Sequence, residues 1–331
     1  MNRTLAAAAL SLALALPAAA TEKPRLTVYT YDSFVSDWGP GPKIEAAFEA
    51  ICDCDLVFVA AGDGAALLGR LRLEGERGGA DVVLGLDTSL SAEAAATGLI
   101  APHGLGALES DVPGGWDDPL FVPFDWGWFA FVYDETRTPA PPKSFEALIA
   151  SDLSVVIQDP RTSTPGLGLL LWVKSVYGER AGDAWARLAP RILTVTRGWS
   201  EAYGMFLEGE ADMVLSYTTS PAYHLIAEGD ASKKAAPFAE GHYMQIETAA
   251  MLKGSARPEL ARAFLRFVLS DDFQSVIPTT NWMYPAVTPA GGLPEGFETL
   301  MRPEKSLLIP AQDVPAIRRA ALEEWIEALS R

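Results

Sequence analysis

The chain has little cysteine, little histidine and, beyond its first twenty residues, no long apolar run. Its 2 cysteines, Cys52 and Cys54, flank a single aspartate, and no second Cys or His pair accompanies them, so no zinc site is expected. The 3 histidines, His103, His224 and His242, show no ligand spacing, and the expectation is no metal and no cofactor. An oxidising compartment favours a Cys52–Cys54 bridge, while linking i to i+2 demands a tight loop, and the ring would be too small to staple the fold. Positive charge is scarce as well: 26 Lys and Arg stand against 43 Asp and Glu, a formal net charge of −17. That balance argues against nucleic acid and anionic lipid as partners. It suits a cationic small ligand, and it equally suits plain solubility.

The N-terminus carries an export pattern. Met1–Arg3 is short and cationic, Leu5–Leu16 is apolar apart from Ser11, and Pro17 precedes Ala18, Ala19 and Ala20. This is the form of a secretory signal peptide over residues 1–20, too short to span a bilayer, with a mature chain starting at Thr21. No cysteine lies at the cleavage point, so a lipid anchor is not expected. The expected location is the periplasm. Later apolar stretches, Leu167–Val173 and Ala261–Leu269, are also too short to cross a membrane. Hydrophobic residues make up 49% of the chain, enough for one large or two modest cores.

Strand-like and helix-like segments alternate. Arg25–Tyr31, Leu56–Ala60 and Ala80–Leu86 read as strands, with helices over Pro42–Ala50 and Ala65–Glu74 between them. A βαβαβ start implies a parallel sheet with ligands at the carboxyl ends of its strands, where Tyr31, Asp63, Gly64 and Asp87 fall. A second α/β stretch follows, with strands at Leu153–Ile157, Leu193–Thr196 and Ala211–Tyr217 and helices at Ser144–Ala150, Leu167–Tyr177, Asp183–Ala189 and Glu201–Glu208. Further helices are expected at Pro258–Leu269 and Val314–Leu329. Two extended runs, residues 121–133 and 241–252, look like crossings between lobes. The fold class is therefore α/β and two-lobed, with a cleft between lobes joined by two hinge segments: residues 21–124 plus 247–331 in one, 125–246 in the other.

Polar loops and aromatics mark the cleft. Gln158–Gly168 joins a strand to a helix through Asp159-Pro160, three hydroxyl residues and Pro165-Gly166, so Ser163 or Thr164 can cap the helix or receive a polar group. Trp38, Trp199 and Trp282 sit beside turn residues in expected loops, either as lids over a core or as ligand platforms. Trp172, Trp185 and Trp325 fall in helical patterns and read as core. Ser216–Tyr223 sets two tyrosines among hydroxyls after an apolar strand, and such a box with a nearby carboxylate holds flat heteroaromatic cations. Asp63, between two glycines, reads as that carboxylate or as a solvated turn aspartate.

Leu26–Phe34, Asp37–Pro42, Ala80–Asp87, Gln158–Leu171, Gly198–Gly204, Leu215–His224 and Asn281–Pro285 together resemble the periplasmic thiamine-binding proteins over nearly the whole mature chain. The resemblance implies a type II periplasmic-binding-protein fold that serves an inner-membrane ABC permease and its ATPase by capturing thiamine and its mono- and diphosphates. It places ligand contacts at Asp63 and Gly64, at Ser163 and Thr164, at Trp199, and at Tyr217, Thr218, Thr219 and Ser220. Tyr31, Tyr223 and Trp282 are implied as further ring contacts. A monomer without catalysis is expected. Asp63 and the Ser163–Thr164 loop fall in different expected lobes, so they are expected to grip different ends of the ligand.

Two other classes remain open at this level. A thiamine-degrading transferase would need a cysteine thiolate, for which Cys52 and Cys54 are the available residues. A ferric-iron or polyamine carrier of the same superfamily is the other, although adjacent tyrosines for iron are absent.

Overall fold

The computed structural model describes residues 23–330, so the expected signal peptide lies outside the described residues. Among the described residues an eleven-stranded sheet organises the chain, two of its strands being two-residue pieces, Tyr284–Pro285 and Ser306–Leu307. The others are β1 (Arg25–Thr30), β2 (Asp55–Ala60), β3 (Val82–Asp87), β4 (Val122–Asp134), β5 (Val155–Gln158), β6 (Ile192–Thr196), β7 (Met213–Tyr217), β8 (Lys233–Ala235) and β9 (His242–Met251). Their main path runs β2-β1-β3-β9-β4-β7-β5-β6, with β8 on β4. β1 pairs in parallel with β2 and β3, and β5 pairs in parallel with β6 and β7, so each end of the sheet is a parallel α/β unit.

The two long strands in the middle join these units. β4 pairs with β9 over Val122–Trp128 and then, from Phe129 to Tyr133, with β7. β9 pairs with β3 on its other side. Both strands are buried along their whole length, which explains their near-continuous apolar and aromatic composition. These are the extended runs read from the sequence as crossings, and the partner change on β4 falls between Trp128 and Phe129.

Helix boundaries follow local chemistry. Pro42 opens the Gly41–Cys52 helix at its first turn, and Ser144 Oγ accepts the Ala147 N–H to cap Phe145–Ala150. The C-terminal helix spans Val314–Leu329, as its pattern indicates. Two strands start two residues later than read from sequence. The Asp212 carboxylate accepts from Ser154 N and Oγ, pinning the entry to both β5 and β7 and leaving Leu153 and Ala211 outside the ladder. Cys52 and Cys54 are joined by a disulfide across the turn between the first helix and β2, with Cα atoms 5.2 Å apart.

Trp172 and Trp185 are fully buried, and Trp325 is nearly so, as their helical patterns indicate. The Trp172 indole also donates to Gly241 O at 2.9 Å, tying its helix to the start of β9. Replacing Trp185, which is 1% exposed, leaves a cavity among rigid helices. Trp185→Ala should therefore lower the unfolding free energy by about 3–5 kcal/mol, read from urea unfolding; a loss below about 1 kcal/mol would mean that the neighbouring helices close the void.

Candidate functional site

A cavity of about 610 Å³ opens where the carboxyl ends of β1 and β7 approach β9, a size suited to a small organic ligand. Its walls carry seven aromatic residues: Tyr31, Trp38, Trp199, Tyr203, Tyr217, Tyr223 and Trp282. Two carboxylates, Asp63 and Glu247, also reach it, and among the described residues no Lys, Arg or His lines it. The electrostatic character is therefore that of a receiver for a flat group bearing positive charge.

Each aromatic ring is fixed by a neighbour. Trp199 is the first residue of a helix, Trp199–Leu207, and not a loop residue as its Gly-Trp-Ser context suggested. Its ring stacks on Tyr203 at 4.9 Å and its indole donates to Ser216 Oγ at 2.8 Å. Tyr223 meets Trp282 edge to face at 5.4 Å. Trp282 has φ of 57°, a left-handed conformation rarely adopted by a bulky residue, and its N–H is held by Ile277 O at 3.0 Å. The helix end Ile277–Thr280 thus imposes the turn that presents the indole to the cavity.

Asp63 does not stand across the cleft from the Ser163–Thr164 loop. Ser163 Oγ donates to Asp63 Oδ2 at 2.7 Å, and Trp199 N–H donates to the same oxygen at 3.2 Å. Gly64 N–H donates to Thr164 Oγ1 at 3.2 Å, and Ala66 N–H to Thr162 O at 3.2 Å. The expected division of these residues between opposite ends of a ligand is therefore overturned: the sheet's two ends close onto each other here, bringing the loops into direct contact. Ser163 sits at the N-cap position of the Thr164–Tyr177 helix, yet its hydroxyl serves Asp63 and caps nothing. Burial raises the Asp63 carboxyl above its ordinary range, and the bonds from Ser163 and Trp199 oppose that.

Of the expected contacts, Tyr31, Asp63, Gly64, Thr164, Trp199, Tyr217, Ser220, Tyr223 and Trp282 line the cavity. Ser163, Thr218 and Thr219 do not. All three are fully buried, Ser163 against Asp63 and Thr219 against the Met283 sulfur at 3.4 Å, while Thr218 follows β7 into the ladder through its N–H to Trp128 O. Sequence reasoning missed Tyr203, Gln245, Glu247 and Asn281. Glu247 lies in the extended run over residues 241–252, and nothing local marked it as lining a cleft.

The profile of the bacterial extracellular solute-binding proteins matches residues 41–275. A thiamine-binding periplasmic protein of Brucella melitensis is 54% identical over 320 residues, covering 96% of each chain. One of Escherichia coli is 54% identical over 324 residues, covering 97% of this chain and 98% of its own. The chain belongs to the bacterial extracellular solute-binding proteins, in their thiamine-binding periplasmic family. A solved structure described as a periplasmic thiamin binding protein superposes with a TM-score of 0.92 at 54% identity, over 96% of this chain and 100% of that one. The fold is thus the two-lobed solute-binding α/β fold, and the cavity described above is the cleft between its lobes.

In this family member Gly64 lies where the loops of the two lobes meet, its N–H on Thr164 Oγ1. A Cβ there would lie 2.5 Å from Thr164 Oγ1 and 3.0 Å from Gly85 O. Gly64→Ala should wedge the lobes apart and enlarge the radius of gyration of the ligand-free protein in X-ray scattering, with far-UV circular dichroism unchanged. An unchanged scattering curve would show that Thr164 simply rotates away.

Proposed function

We propose that this protein captures thiamine, and thiamine mono- and diphosphate, in the periplasm and delivers them to an inner-membrane ABC permease and its ATPase. The observation that carries the reading is the wall of the cleft: aromatic faces and two carboxylates with no basic residue. Thiamine is a flat aminopyrimidine joined to a permanently cationic thiazolium ring. The names of the relatives at 54% identity support the same ligand.

Roles follow from position. The faces of Trp199, Tyr223 and Trp282, with Trp38 and Tyr31 beside them, sandwich the two rings, each aromatic contact to the cation contributing on the order of 1 kcal/mol. Asp63 and Glu247 balance the positive charge. Phosphate, where present, meets hydroxyls and backbone N–H groups of the cavity wall rather than a basic side chain. We assign residues 21–124 with 247–331 to one lobe and residues 125–246 to the other, hinged on β4 and β9; the Val314–Leu329 helix also packs against the Thr164–Tyr177 and Ala181–Leu188 helices of the second. A monomer suits delivery to a permease.

The transferase alternative is not supported. Cys52 and Cys54 are joined to each other and lie at the N-terminal edge of β2, away from the cleft. An iron-carrying role finds no paired tyrosines. Among the described residues, His224, Glu228 and Asp230 bring ligand atoms within 4.8 Å of one another. These are already engaged: His224 with Glu228 and Tyr203, and Asp230 with Lys233.

Thiamine that binds the folded state alone stabilises it by RT ln(1 + L/Kd), roughly 4 kcal/mol at a thousandfold excess over Kd. Titration should raise the melting temperature by several degrees and change tryptophan fluorescence, whereas maltose, spermidine and ferric iron should do neither. Absence of both responses to thiamine would refute the reading. Trp282→Ala should weaken thiamine by about 1–2 kcal/mol in calorimetry, while unliganded stability changes less than for Trp185→Ala; equal losses would return Trp282 to a structural role.

A further inference from the structure

Asp125 on β4 and Glu247 on β9 are register partners in the antiparallel ladder, and Glu247 also faces Asp87 across the β3–β9 pairing. Three carboxyl groups therefore occupy one row of the sheet, on the two strands that join the lobes and on their neighbour. All three are buried, Asp125 and Asp87 completely and Glu247 to 6% exposure, yet Glu247 reaches the cavity wall. Tyr31 OH donates to Glu247 Oε2 at 2.9 Å, and Asn281 Nδ2 donates both to Tyr31 OH at 2.9 Å and to Asp125 Oδ2 at 2.6 Å. The remaining oxygen, Asp125 Oδ1, is buried without a donor. The group that can supply one is the carboxyl beside it, Glu247, if the pair holds a proton.

The surroundings leave little alternative. The titratable groups facing Glu247 are Asp125 from β4, Asp87 from β3, Tyr31 after β1, Tyr217 at the end of β7 and Asp63 before the Gly64–Glu74 helix. Every one is an acid, and neither Asp125 nor Glu247 has a basic partner among the described residues. Burial raises both carboxyls of the pair above the ordinary range, and for Glu247 the Asp125 charge adds to the rise. Burial also pushes Asp87 up to about 6. Two adjacent like charges in a low-dielectric row repel strongly, so the pair titrates as a unit and keeps one proton between its members.

We propose that the Asp125–Glu247 pair is the charge-selecting element of the cleft, holding a proton while the cleft is empty and losing it to solvent when a permanently cationic ring is seated against Glu247. The proposal rests on the thiamine reading and adds to it two residues that select for charge as well as shape. The sign follows from linkage. A bound cation stabilises the ionised pair, so binding releases a proton, and affinity rises with pH until the empty pair is itself ionised.

The test is calorimetry of thiamine binding in buffers of different ionisation enthalpy from about pH 6 to 8.5, with wild type, Asp125→Asn, and a neutral thiamine isostere carrying carbon in place of the quaternary nitrogen. For wild type, thiamine should release a fraction of a proton up to one, and Kd should tighten by up to about tenfold per pH unit before levelling off. The isostere should bind with no proton release, and Asp125→Asn should bind thiamine with a flat pH profile. Wild-type binding with no release and no pH dependence overturns the proposal while leaving thiamine as the ligand. Undiminished release in Asp125→Asn also overturns it, since the proton then belongs to another group. Failure of thiamine to bind at any pH overturns the functional reading instead. A wild-type count of zero overturns the proposal even if the variant does not fold.

Discussion

The pairing of β4 with β9 is the constraint on which the rest of the molecule depends. Each strand serves two half-sheets: β4 leaves β9 for β7 at Phe129, and β9 spends its other edge on β3. The two strands that join the half-sheets are therefore fully buried, and their ladder cannot slip without turning core side chains outward. The same register places Asp125 opposite Glu247, so the hinge and the charged wall of the cleft are one structure. A lobe movement that strains this ladder also alters the environment of the carboxyl row.

Closure depends on a second set of contacts remote from the hinge. Asp63, offered by the turn before one helix, is held by Ser163 and by the N–H of Trp199 at the start of another. A carboxylate at a helix N-terminus is favourably placed against the helix dipole, and its position between lobes makes that interaction conditional on closure. Gly64 follows Asp63 because a side chain there would strike Thr164 and Gly85. The lid of the cleft is thus assembled from polar contacts that water can replace, while its floor is locked into the sheet. That asymmetry suits a protein that must open to exchange ligand yet keep its aromatic platform fixed.

Much of this was legible in the chain. Helix and strand alternation, the two long extended runs and the segregation of Trp172, Trp185 and Trp325 into the core all followed from periodicity and composition. Tyr31, Gly64, Thr164, Trp199, Tyr217, Tyr223 and Trp282 were reached through turn chemistry and resemblance, and they line one cavity. Ser163, Thr218 and Thr219 shared the same motifs but point into packed surroundings, because a loop motif fixes where the backbone goes and not which hydroxyl faces the ligand. Asn281 opens the Asn281–Pro285 motif, yet nothing local marked it as a contact, since its importance lies in bonds to Tyr31 and Asp125, 250 and 156 residues away.

By itself the sequence determined the α/β class, the two crossings, the acidic balance and the supply of aromatics, since these depend on periodicity and composition that short windows contain. Only the tertiary structure decided which acids become neighbours. Asp87, Asp125 and Glu247 lie on three strands far apart in the chain, and sheet register sets them in one row. Asp63 and Ser163, assigned by sequence to opposite sides of a cleft, share a hydrogen bond because the lobes close around their loops. Proximity across strands and lobes is a property of register and domain geometry, and no local pattern of residues encodes it.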